Sequence, residues 1–277
     1  MRFYLPRNQV HIGLWILLGC HSLLARLSVS PIHDWIYELA RSNLFGLAAF
    51  LTVFHLLTDT SDRRQATSAD YFLFAITGLA LWIGGFGGSG HDVPLVLLPV
   101  ALFYFSRFGH GADDRFIGLV ALALSINGFF APMLFHLFKD LFLIGEAQFA
   151  AALNRLIGLD VIAEGTRLTA VDGVRLQLIG ACSVFSNLSF AFLGYSCFKA
   201  FFRSPMNWRD LGPILILMLA LIFANAIRLG LMVPNWAAYE FWHHGSGSLI
   251  FAVVQFLLIG LVCLYAVILR GRIWRAA

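Results

Sequence analysis

The chain has 277 residues, of which 60% are hydrophobic and 12% are charged, and its formal net charge is +4 at pH 7. This composition excludes an ordinary soluble domain, in which about a quarter of the residues are charged. The small positive charge does not indicate a nucleic-acid partner, since the Arg residues are spread over short loops rather than gathered in a patch. The sequence therefore predicts an all-α polytopic membrane protein.

Apolar runs of roughly 15–25 residues recur from end to end, which is the pattern of consecutive membrane-spanning helices. We predict about eight spans, at residues 11–28, 43–58, 70–86, 93–107, 116–138, 184–201, 211–232 and 248–269. The first run lacks a cleavage site of small residues and more spans follow it, so a cleaved signal peptide is not expected. No repeat of fixed period and no linker is found, so we expect a single integral membrane domain over residues 1–277.

An even number of spans places both termini on the same side of the membrane. Loops on the cytoplasmic side of membrane proteins carry more Lys and Arg than the loops opposite. Of the 19 Lys and Arg residues, twelve lie on the side of the termini: Arg2, Arg7, Arg63, Arg64, Arg107, Arg115, Lys199, Arg203, Arg209, Arg270, Arg272 and Arg275. The sequence therefore predicts a multi-pass protein of the cytoplasmic (inner) membrane with both termini in the cytoplasm.

The pattern of apolar residues changes twice between the fifth and sixth predicted spans. Residues 139–159 are amphipathic and predict a helix in the outer interface of the membrane. From Thr166 to Ile179 apolar and polar residues alternate, and Asp172-Gly173 lies between the two runs, which is a signal of a β-hairpin. We therefore expect a small extracytoplasmic β-hairpin before the sixth span.

Cys182 differs in position from the other three cysteines. Cys20, Cys197 and Cys263 lie inside predicted spans and are expected to be small core side chains. Cys182 precedes the apolar run that starts at Val184, so we expect it in the first turn of the sixth helix. The unpaired N–H groups and the dipole of a helix start favour the thiolate, the nucleophilic form of cysteine. Cys182 is therefore the candidate nucleophile.

The predicted topology brings two more chemical groups to the depth of Cys182. The seventh span runs outward and places Arg228 about one turn below the outer surface. The eighth span begins near Ser248, so His243 and His244 precede it on the outer face. A thiolate, an imidazole that relays protons and a cation that stabilises an oxyanion are the groups that acyl transfer uses. We therefore predict that Cys182, Arg228 and His243 are catalytic.

Each of these residues also has a non-catalytic interpretation. Cys182 could be structural, Arg228 could extend to lipid headgroups, and the two histidines could belong to an interfacial aromatic belt. Asn225, on the same helical face as Arg228, is expected to orient the guanidinium. No cofactor is expected, and no metal, because the adjacent side chains of His243 and His244 should point in different directions and no acidic cluster accompanies them.

Three short motifs occur in order at successive outer helix ends. They are Ala181-Cys182-Ser183, the run from Asn225 to Arg228, and His243 followed by Gly247 and Phe251. This order resembles the exosortase/archaeosortase family of multi-spanning membrane cysteine transpeptidases. The likeness covers about residues 140–270, the expected catalytic part. It implies that Cys182, Arg228 and His243 are catalytic, with Ser183 and Asn225 as supporting residues and His244 as the alternative histidine.

The resemblance also implies the partners of the chain. The substrates would be exported proteins that end in a short motif, a transmembrane helix and a basic tail. The enzyme, surrounded by membrane lipids, would form a thioester on Cys182 at the extracytoplasmic face and pass the acyl group to a lipid or glycan acceptor. The family commonly has glycine after the Cys-Ser pair, whereas this chain has Val184.

Two other functions stay open at the level of the sequence. One is a non-catalytic exosortase-like partner in polysaccharide export, which Val184 favours. The other is a transporter or lipid-handling protein, for which charged residues near the middle of the bilayer or broken helices would be expected. Arg228 lies near the edge of its predicted span, so the sequence favours the transpeptidase.

Overall fold

A computed structural model describes residues 5–27, 44–59, 64–84, 92–107, 113–170 and 173–266. Most of these residues are helical. The helices are α1 (Arg7–Leu27), α2 (Leu44–Asp59), α3 (Ser68–Gly84), α4 (Asp92–Ser106), α5 (Asp114–Ser125), α6 (Ala131–Leu137), α7 (Lys139–Leu156), α8 (Val184–Phe201), α9 (Leu211–Met232), α10 (Trp236–His243) and α11 (Ser246–Leu264). A π-helical turn, Ile126–Phe130, joins α5 to α6. Within the described residues, each of the eight predicted spans is largely helical, the fifth being the continuous segment from α5 to α6.

Three helical segments are long and apolar enough to cross a membrane. They are Asp114–Leu137, Trp208–Met232 and Ser246–Leu264, and three shorter apolar helices occur at Gly46–Asp59, Ser68–Ile83 and Val93–Ser106. In α8, polar residues such as Asn187 and Lys199 interrupt the apolar run, and in α1 His11 and His21 do so. The structure thus has three clear candidate spans in its described part, and the other five spans stay predictions.

A three-stranded antiparallel sheet precedes α8, where the sequence predicts a two-stranded hairpin. Its strands are β1 (Val161–Glu164), β2 (Arg167–Ala170) and β3 (Leu176–Gln177), in the order β1-β2-β3. β2 and β3 are the arms of the predicted hairpin, with Leu168 opposite Leu176, whereas Asp172 lies outside the described residues. The additional strand, β1, turns into β2 at Gly165, whose φ of +59° suits glycine.

One face of the sheet packs with α7 and α9 in a single hydrophobic cluster. Its buried members include Leu143, Ala147, Ala150 and Ala151 of α7, Val161, Leu168 and Leu176 of the sheet, and Ala226, Leu229 and Met232 of α9. The predicted amphipathic stretch is thus confirmed as a helix, but alanines make up most of its buried face. Leu156, an apolar residue in the last turn of this helix, is 84% exposed.

α7 and α9 approach each other closely at Gly230. The Asn154 side chain of α7 is fully buried and donates from Nδ2 to the carbonyl oxygens of Ala150 (2.7 Å) and Ala226 (2.8 Å). A Cβ atom at position 230 would collide with the Asn154 amide. Glycine therefore permits the hydrogen bond that fixes α9 against α7 one turn from Asn225 and Arg228.

The chain divides into two compact units. The first unit is Met1–Phe130 with Phe192–Met206, and the second is Ala131–Ala191 with Asn207–Ala277. All the site residues predicted from the sequence lie in the second unit. The prediction of a single integral membrane domain stays a prediction.

The first unit contains a buried cluster of charges. Arg7 donates from Nε to Asp70 Oδ1 (3.2 Å) and from Nη1 to Asp114 Oδ2 (3.1 Å). His11 Nε2 lies 2.9 Å from the same Asp70 oxygen, and the other His11 nitrogen lies 2.6 Å from the Tyr104 hydroxyl. These charges therefore neutralise one another through hydrogen-bonded ion pairs, which is how buried charges are stabilised.

Candidate active site

Cys182 lies in a tight turn that joins the sheet to α8. It is the last residue of a 3₁₀ turn, Gly180–Cys182, and its N–H donates to the carbonyl oxygen of Ile179 (2.8 Å). The helix begins at Val184, so Cys182 lies two residues before the first helical turn and not within it, as had been predicted. Cys182 is 5% exposed and belongs to the hydrophobic cluster of α7 and α9.

Ser183 caps the start of α8. Its backbone is extended (φ −70°, ψ 141°), and its Oγ accepts a hydrogen bond from the Phe185 N–H (3.1 Å). The Val184 N–H donates to Glu146 Oε2 (3.2 Å). Two of the N–H groups expected to stabilise the Cys182 thiolate are therefore already satisfied by side chains. The helix start thus holds the turn in place rather than presenting a row of free donors.

Glu146 of α7 is a site residue that the sequence analysis did not single out. Its second carboxyl oxygen, Oε1, accepts a hydrogen bond from the Ser183 hydroxyl, so one carboxyl group holds two consecutive residues after Cys182. Burial raises the pKa of Glu146, while the hydrogen bonds from Ser183 and Val184 oppose this shift. Its signal in the sequence is weak, because one carboxyl group in an amphipathic stretch is also typical of a solvated helix face.

Asn225 of α9 holds the main chain of Cys182. The residue is 2% exposed, and its Nδ2 donates to the Cys182 carbonyl oxygen (3.0 Å). Its Oδ1 has no hydrogen-bond partner among the described residues. The expected role of orienting the Arg228 guanidinium is not what this geometry gives, because the amide oxygen, which alone could accept from the guanidinium, makes no hydrogen bond among the described residues. Asn225 instead fixes the nucleophile's backbone to α9.

Arg228 lies one helical turn after Asn225 and contacts the next two helices. Its Nε and Nη2 donate to the Trp242 carbonyl oxygen (3.3 and 3.2 Å), and its Cζ lies 4.7 Å from the centroid of the Phe251 ring. Arg228 is therefore directed towards α10 and α11, and its backbone lies one helical turn from the residue that binds the Cys182 carbonyl.

His243 and His244 lie at the end of α10, directly after the carbonyl that Arg228 binds. His243 stacks on Tyr239, with ring centroids 4.9 Å apart and an interplanar angle of 15°. His243 Nδ1 lies 2.9 Å from His244 Nε2, which corrects the expectation that the two side chains diverge. One imidazole must donate and the other accept in this contact, so the tautomers of the two rings are coupled.

Glycine and an aromatic residue follow His243 at positions that the packing of α10 and α11 requires. A Cβ atom at Gly247 would lie 2.8 Å from the Phe241 side chain, so glycine lets α11 pack against α10. Phe251, one turn further, supplies the ring under Arg228. The motif of His243, Gly247 and Phe251 thus corresponds to a packed corner between two helices.

In the second unit Asn225 binds the backbone of Cys182, and Arg228 binds the carbonyl of Trp242, the residue before His243. These groups can supply a nucleophile, a cation for a developing oxyanion and a pair of proton carriers. Among the described residues, no group of three or more His, Cys, Asp or Glu side chains is arranged to hold a metal ion. The chemistry that this arrangement favours is acyl transfer through sulfur.

The chain was compared with known protein families, curated proteins and solved structures. The family described as transmembrane exosortase matches residues 35–260, more than half of the chain. This match begins well before residue 140, where the likeness was expected to start, so it includes helices of the first unit. No curated protein and no solved structure matches the chain.

Proposed function

We propose, since the chain belongs to the transmembrane exosortase family, that this protein is a membrane cysteine transpeptidase. It cleaves the C-terminal sorting signals of exported proteins, which consist of a short motif, a transmembrane helix and a basic tail. It then transfers the new C-terminus of the substrate to a lipid or glycan acceptor. The family resemblance of the three motifs supports this substrate class.

One observation carries the proposal. Asn225 binds the backbone of Cys182, and Arg228 lies one turn later on the same helix. Within the described part of the chain, Arg228 makes no ion pair with a carboxylate; its contacts are the Trp242 carbonyl and the Phe251 ring. An arginine in a membrane helix is costly, so a cation left without a counter-charge beside a thiol supports a role in stabilising an anion.

The reaction has two acyl-transfer steps. The Cys182 thiolate attacks the carbonyl carbon of the scissile peptide bond, and Arg228 stabilises the oxyanion of the tetrahedral intermediate. The C–N bond breaks as His243 gives a proton to the leaving amine, which leaves a thioester on Cys182. The acceptor nucleophile then attacks the thioester, loses its proton to the imidazole and releases the thiolate. His244, in contact with His243, is the alternative proton carrier.

The chemistry takes place at the extracytoplasmic side in this proposal. The excess of Lys and Arg on the side of the termini supports an arrangement of eight spans with both termini in the cytoplasm. The start of α8 and the ends of α9 and α10 then lie at the outer boundary of the membrane. Exported substrates and surface acceptors are accessible there.

A single substitution tests the proposed nucleophile. The substrate is a co-expressed, exported reporter that ends in an apolar helix and a basic tail. Cys182→Ala should abolish processing of the reporter. The amount of folded protein should stay unchanged, because the substitution removes only one buried sulfur atom. Cys263→Ala, which also removes a buried sulfur, is the matched control and should process normally. Full processing by Cys182→Ala would exclude the mechanism.

A non-catalytic role in polysaccharide export is the second candidate. Val184 favours it, since the family commonly has glycine at this position. The valine is buried, with 5% of its surface exposed, two residues after Cys182. A protein with this role would keep its fold and its binding partners after Cys182→Ala. Failure of a water-soluble thiol reagent to label Cys182 in the folded protein would support this candidate over the transpeptidase.

A further inference from the structure

The strand that leads to Cys182 is an edge strand of the three-stranded sheet. β3 pairs with β2 on one side, and no strand of the described residues pairs with its other side. The extended backbone continues past β3, because the Leu178 N–H donates to the Thr166 carbonyl oxygen (2.9 Å) and Ile179 has φ −126° and ψ 171°. Cys182 follows Ile179 after a single 3₁₀ turn. The outer edge of β3 therefore runs directly into the candidate active site.

The hydrogen-bond register determines which backbone groups of this edge point outward. The bond from Leu178 to Thr166 fixes the alternation, so the next bonded pair is Leu176 with Leu168, which lie opposite each other. In an antiparallel pair, the residue between two bonded pairs directs its N–H and C=O away from the partner strand. That residue is Gln177. Its N–H and C=O therefore point to the outer side of the sheet, where no described residue binds them.

The side chain of Gln177 does not cover this edge. Its Nε2 donates to the Thr166 hydroxyl oxygen (2.6 Å), and its Oε1 accepts from Arg167 Nε (2.9 Å), so the side chain is directed towards β2. Ile179, whose N–H lies on the same edge and has no partner among the described residues, is 51% exposed. The edge thus presents two N–H groups about 7 Å apart, the repeat of two strand residues.

We propose that the outer edge of β3 binds the protein substrate as an added β-strand, formed by the residues that precede the scissile bond. Backbone donors and acceptors at the repeat of a strand are matched by an extended peptide, which is how peptides extend sheets in other complexes. A lipid chain has no such groups. The inference rests on the proposed function and adds the place where the substrate backbone is held on its way to Cys182.

The added strand would run parallel to β3. In the proposed substrate a transmembrane helix follows the scissile bond, and the N–H groups of a helix are bonded within it. The extended segment before the bond ends at Cys182, as the chain after β3 does. Gln177 N–H would then donate to one substrate carbonyl, and Gln177 C=O would accept from an N–H two residues later. About five extended residues span the path from Gln177 to Cys182, which is at most about 17 Å.

Gln177 offers a substitution that removes the outward donor alone. Gln177→Pro deletes the N–H, and proline is tolerated on an edge strand where the ladder does not use that N–H. Gln177→Ala keeps the N–H but loses the side-chain bonds to Thr166 and Arg167, so it is the matched control. Ala163→Pro is the control for the opposite edge. Ala163 lies opposite Leu168, and by the same alternation its N–H points away from β2.

The test measures alkylation of Cys182 in the full-length protein in detergent. The reagent is the chloromethyl ketone of acetyl-Thr-Val-Thr-Val-Ala, a sequence that favours the extended conformation. The Cys182 thiolate displaces its chloride ion, and mass spectrometry of the Cys182 peptide gives the rate. Gln177→Pro should slow this reaction about fivefold, as expected for the loss of one backbone hydrogen bond. Gln177→Ala and Ala163→Pro should react at the wild-type rate, and iodoacetamide should react equally with all four proteins.

Methylation of the reagent's backbone tests the same pairing in the wild-type protein. N-methyl groups are placed on one residue of the peptide at a time. Successive N–H groups of a strand point to opposite sides, so only every second methyl group should slow the alkylation of Cys182. This series does not depend on how well Gln177→Pro folds. Rates that do not alternate along the peptide would overturn the proposal.

Other outcomes identify other errors. Equal peptide rates in Gln177→Pro and the wild type would contradict the proposal, and equal slowing in Gln177→Ala would assign the effect to the side chain. If Gln177→Pro keeps the peptide rate but turns a dimer into a monomer, a second copy of the chain occupies the edge instead. If Cys182 reacts with neither the peptide reagent nor iodoacetamide in the wild type, the proposed nucleophile itself fails.

Discussion

The two units of the chain treat their buried charges in opposite ways. In the first unit, Arg7 binds two carboxylates, of Asp70 and Asp114, and Arg107 also pairs with Asp70, so each of these charges has a partner of opposite sign. In the second unit, Arg228 and Glu146 make no ion pair among the described residues. Arg228 donates to a carbonyl, and Glu146 accepts from a hydroxyl and a backbone N–H.

This difference separates charges that hold a fold from charges that surround a reactive group. A paired buried charge contributes to structure, and removing one partner leaves the other without compensation. An unpaired buried charge must be stabilised by dipoles, and it can still interact with a new charge that develops nearby. Arg228 and Glu146 both lie next to residues that flank Cys182, which is where a new charge develops in the proposed reaction.

The largest effect is expected in the first unit, on stability. Asp70→Asn removes the carboxylate that binds Arg7 and His11, and breaking such a buried pair costs about 3–5 kcal/mol. Thermal unfolding in detergent should therefore shift to clearly lower temperature, while processing by the protein that remains folded should continue. Asp140→Asn, at an exposed position of α7, is the control and should change neither the unfolding temperature nor the processing. An unaltered unfolding temperature for Asp70→Asn would contradict the claim that the paired charges of the first unit stabilise the fold.

The second expected effect is on activity alone. Arg228→Lys keeps the charge but loses the planar group that contacts both Trp242 and Phe251. Loss of one group that stabilises an oxyanion lowers the rate about 100-fold or more. Processing should fall by that factor with little change in the unfolding temperature. A variant that keeps its activity but unfolds early would assign Arg228 to the fold instead.

A smaller, pH-dependent effect is expected at Glu146. Because burial raises its pKa above the ordinary value of 4.5, the folded state binds the proton more tightly than the unfolded state does. The contribution of Glu146 to stability is therefore full below pH 4.5 and is lost as the pH rises through the raised pKa. Glu146→Gln, which resembles the neutral form, should be less sensitive to this rise than the wild type.

The matched variant at this position is Glu146→Ala. It removes both hydrogen bonds to the start of α8, and loss of a helix cap costs about 1 kcal/mol. Processing should decrease several-fold in Glu146→Ala and much less in Glu146→Gln. Unfolding temperatures of the two variants between pH 4.5 and pH 7 would show the corresponding difference in stability. Equal behaviour of the alanine and glutamine variants would contradict the capping role.

The smallest effect is expected for an ion pair of the first unit whose cation is partly exposed, although its carboxylate, with 5% of the side chain exposed, is buried. Arg203 binds Asp113 through Nε (2.8 Å) and Nη2 (3.2 Å), and its side chain is 37% exposed. These hydrogen bonds raise the pKa of Arg203. Solvent screens such a pair, so Asp113→Asn should cost no more than about 1 kcal/mol. A loss as large as that of Asp70→Asn would show that burial does not decide the strength of these pairs.

The sequence predicted the parts of the fold that depend on neighbouring residues. The apolar runs gave the helices with boundary errors of a few residues, and the alternation after Thr166 gave β2 and β3. It did not predict β1, because Val161, Ile162 and Ala163 are consecutive apolar residues that do not alternate with polar ones. In the described part of the chain, three segments meet the length and hydropathy of spans. Three other apolar helices are shorter, and polar residues such as Lys199 interrupt the apolar run of α8.

The candidate site depends on contacts that local patterns do not contain. Cys182 and Arg228 could be identified from their positions at helix ends. Glu146, by contrast, acts on Ser183 across 37 residues, and Asn225 binds a carbonyl 43 residues earlier in the chain. The contact between His243 and His244 depends on how α10 ends at His244, which periodicity does not specify.

The most direct measurement is to trap the acyl group on the protein. The full-length protein is mixed with the reporter substrate, quenched in acid and digested, and the Cys182 peptide is analysed by mass spectrometry. The account predicts a Cys182 peptide heavier by the acyl peptide that ends at the new C-terminus of the cleaved substrate, which neutral hydroxylamine removes, as it does from a thioester. Processed substrate that accumulates while the Cys182 sulfur stays unmodified at every time point would contradict the account.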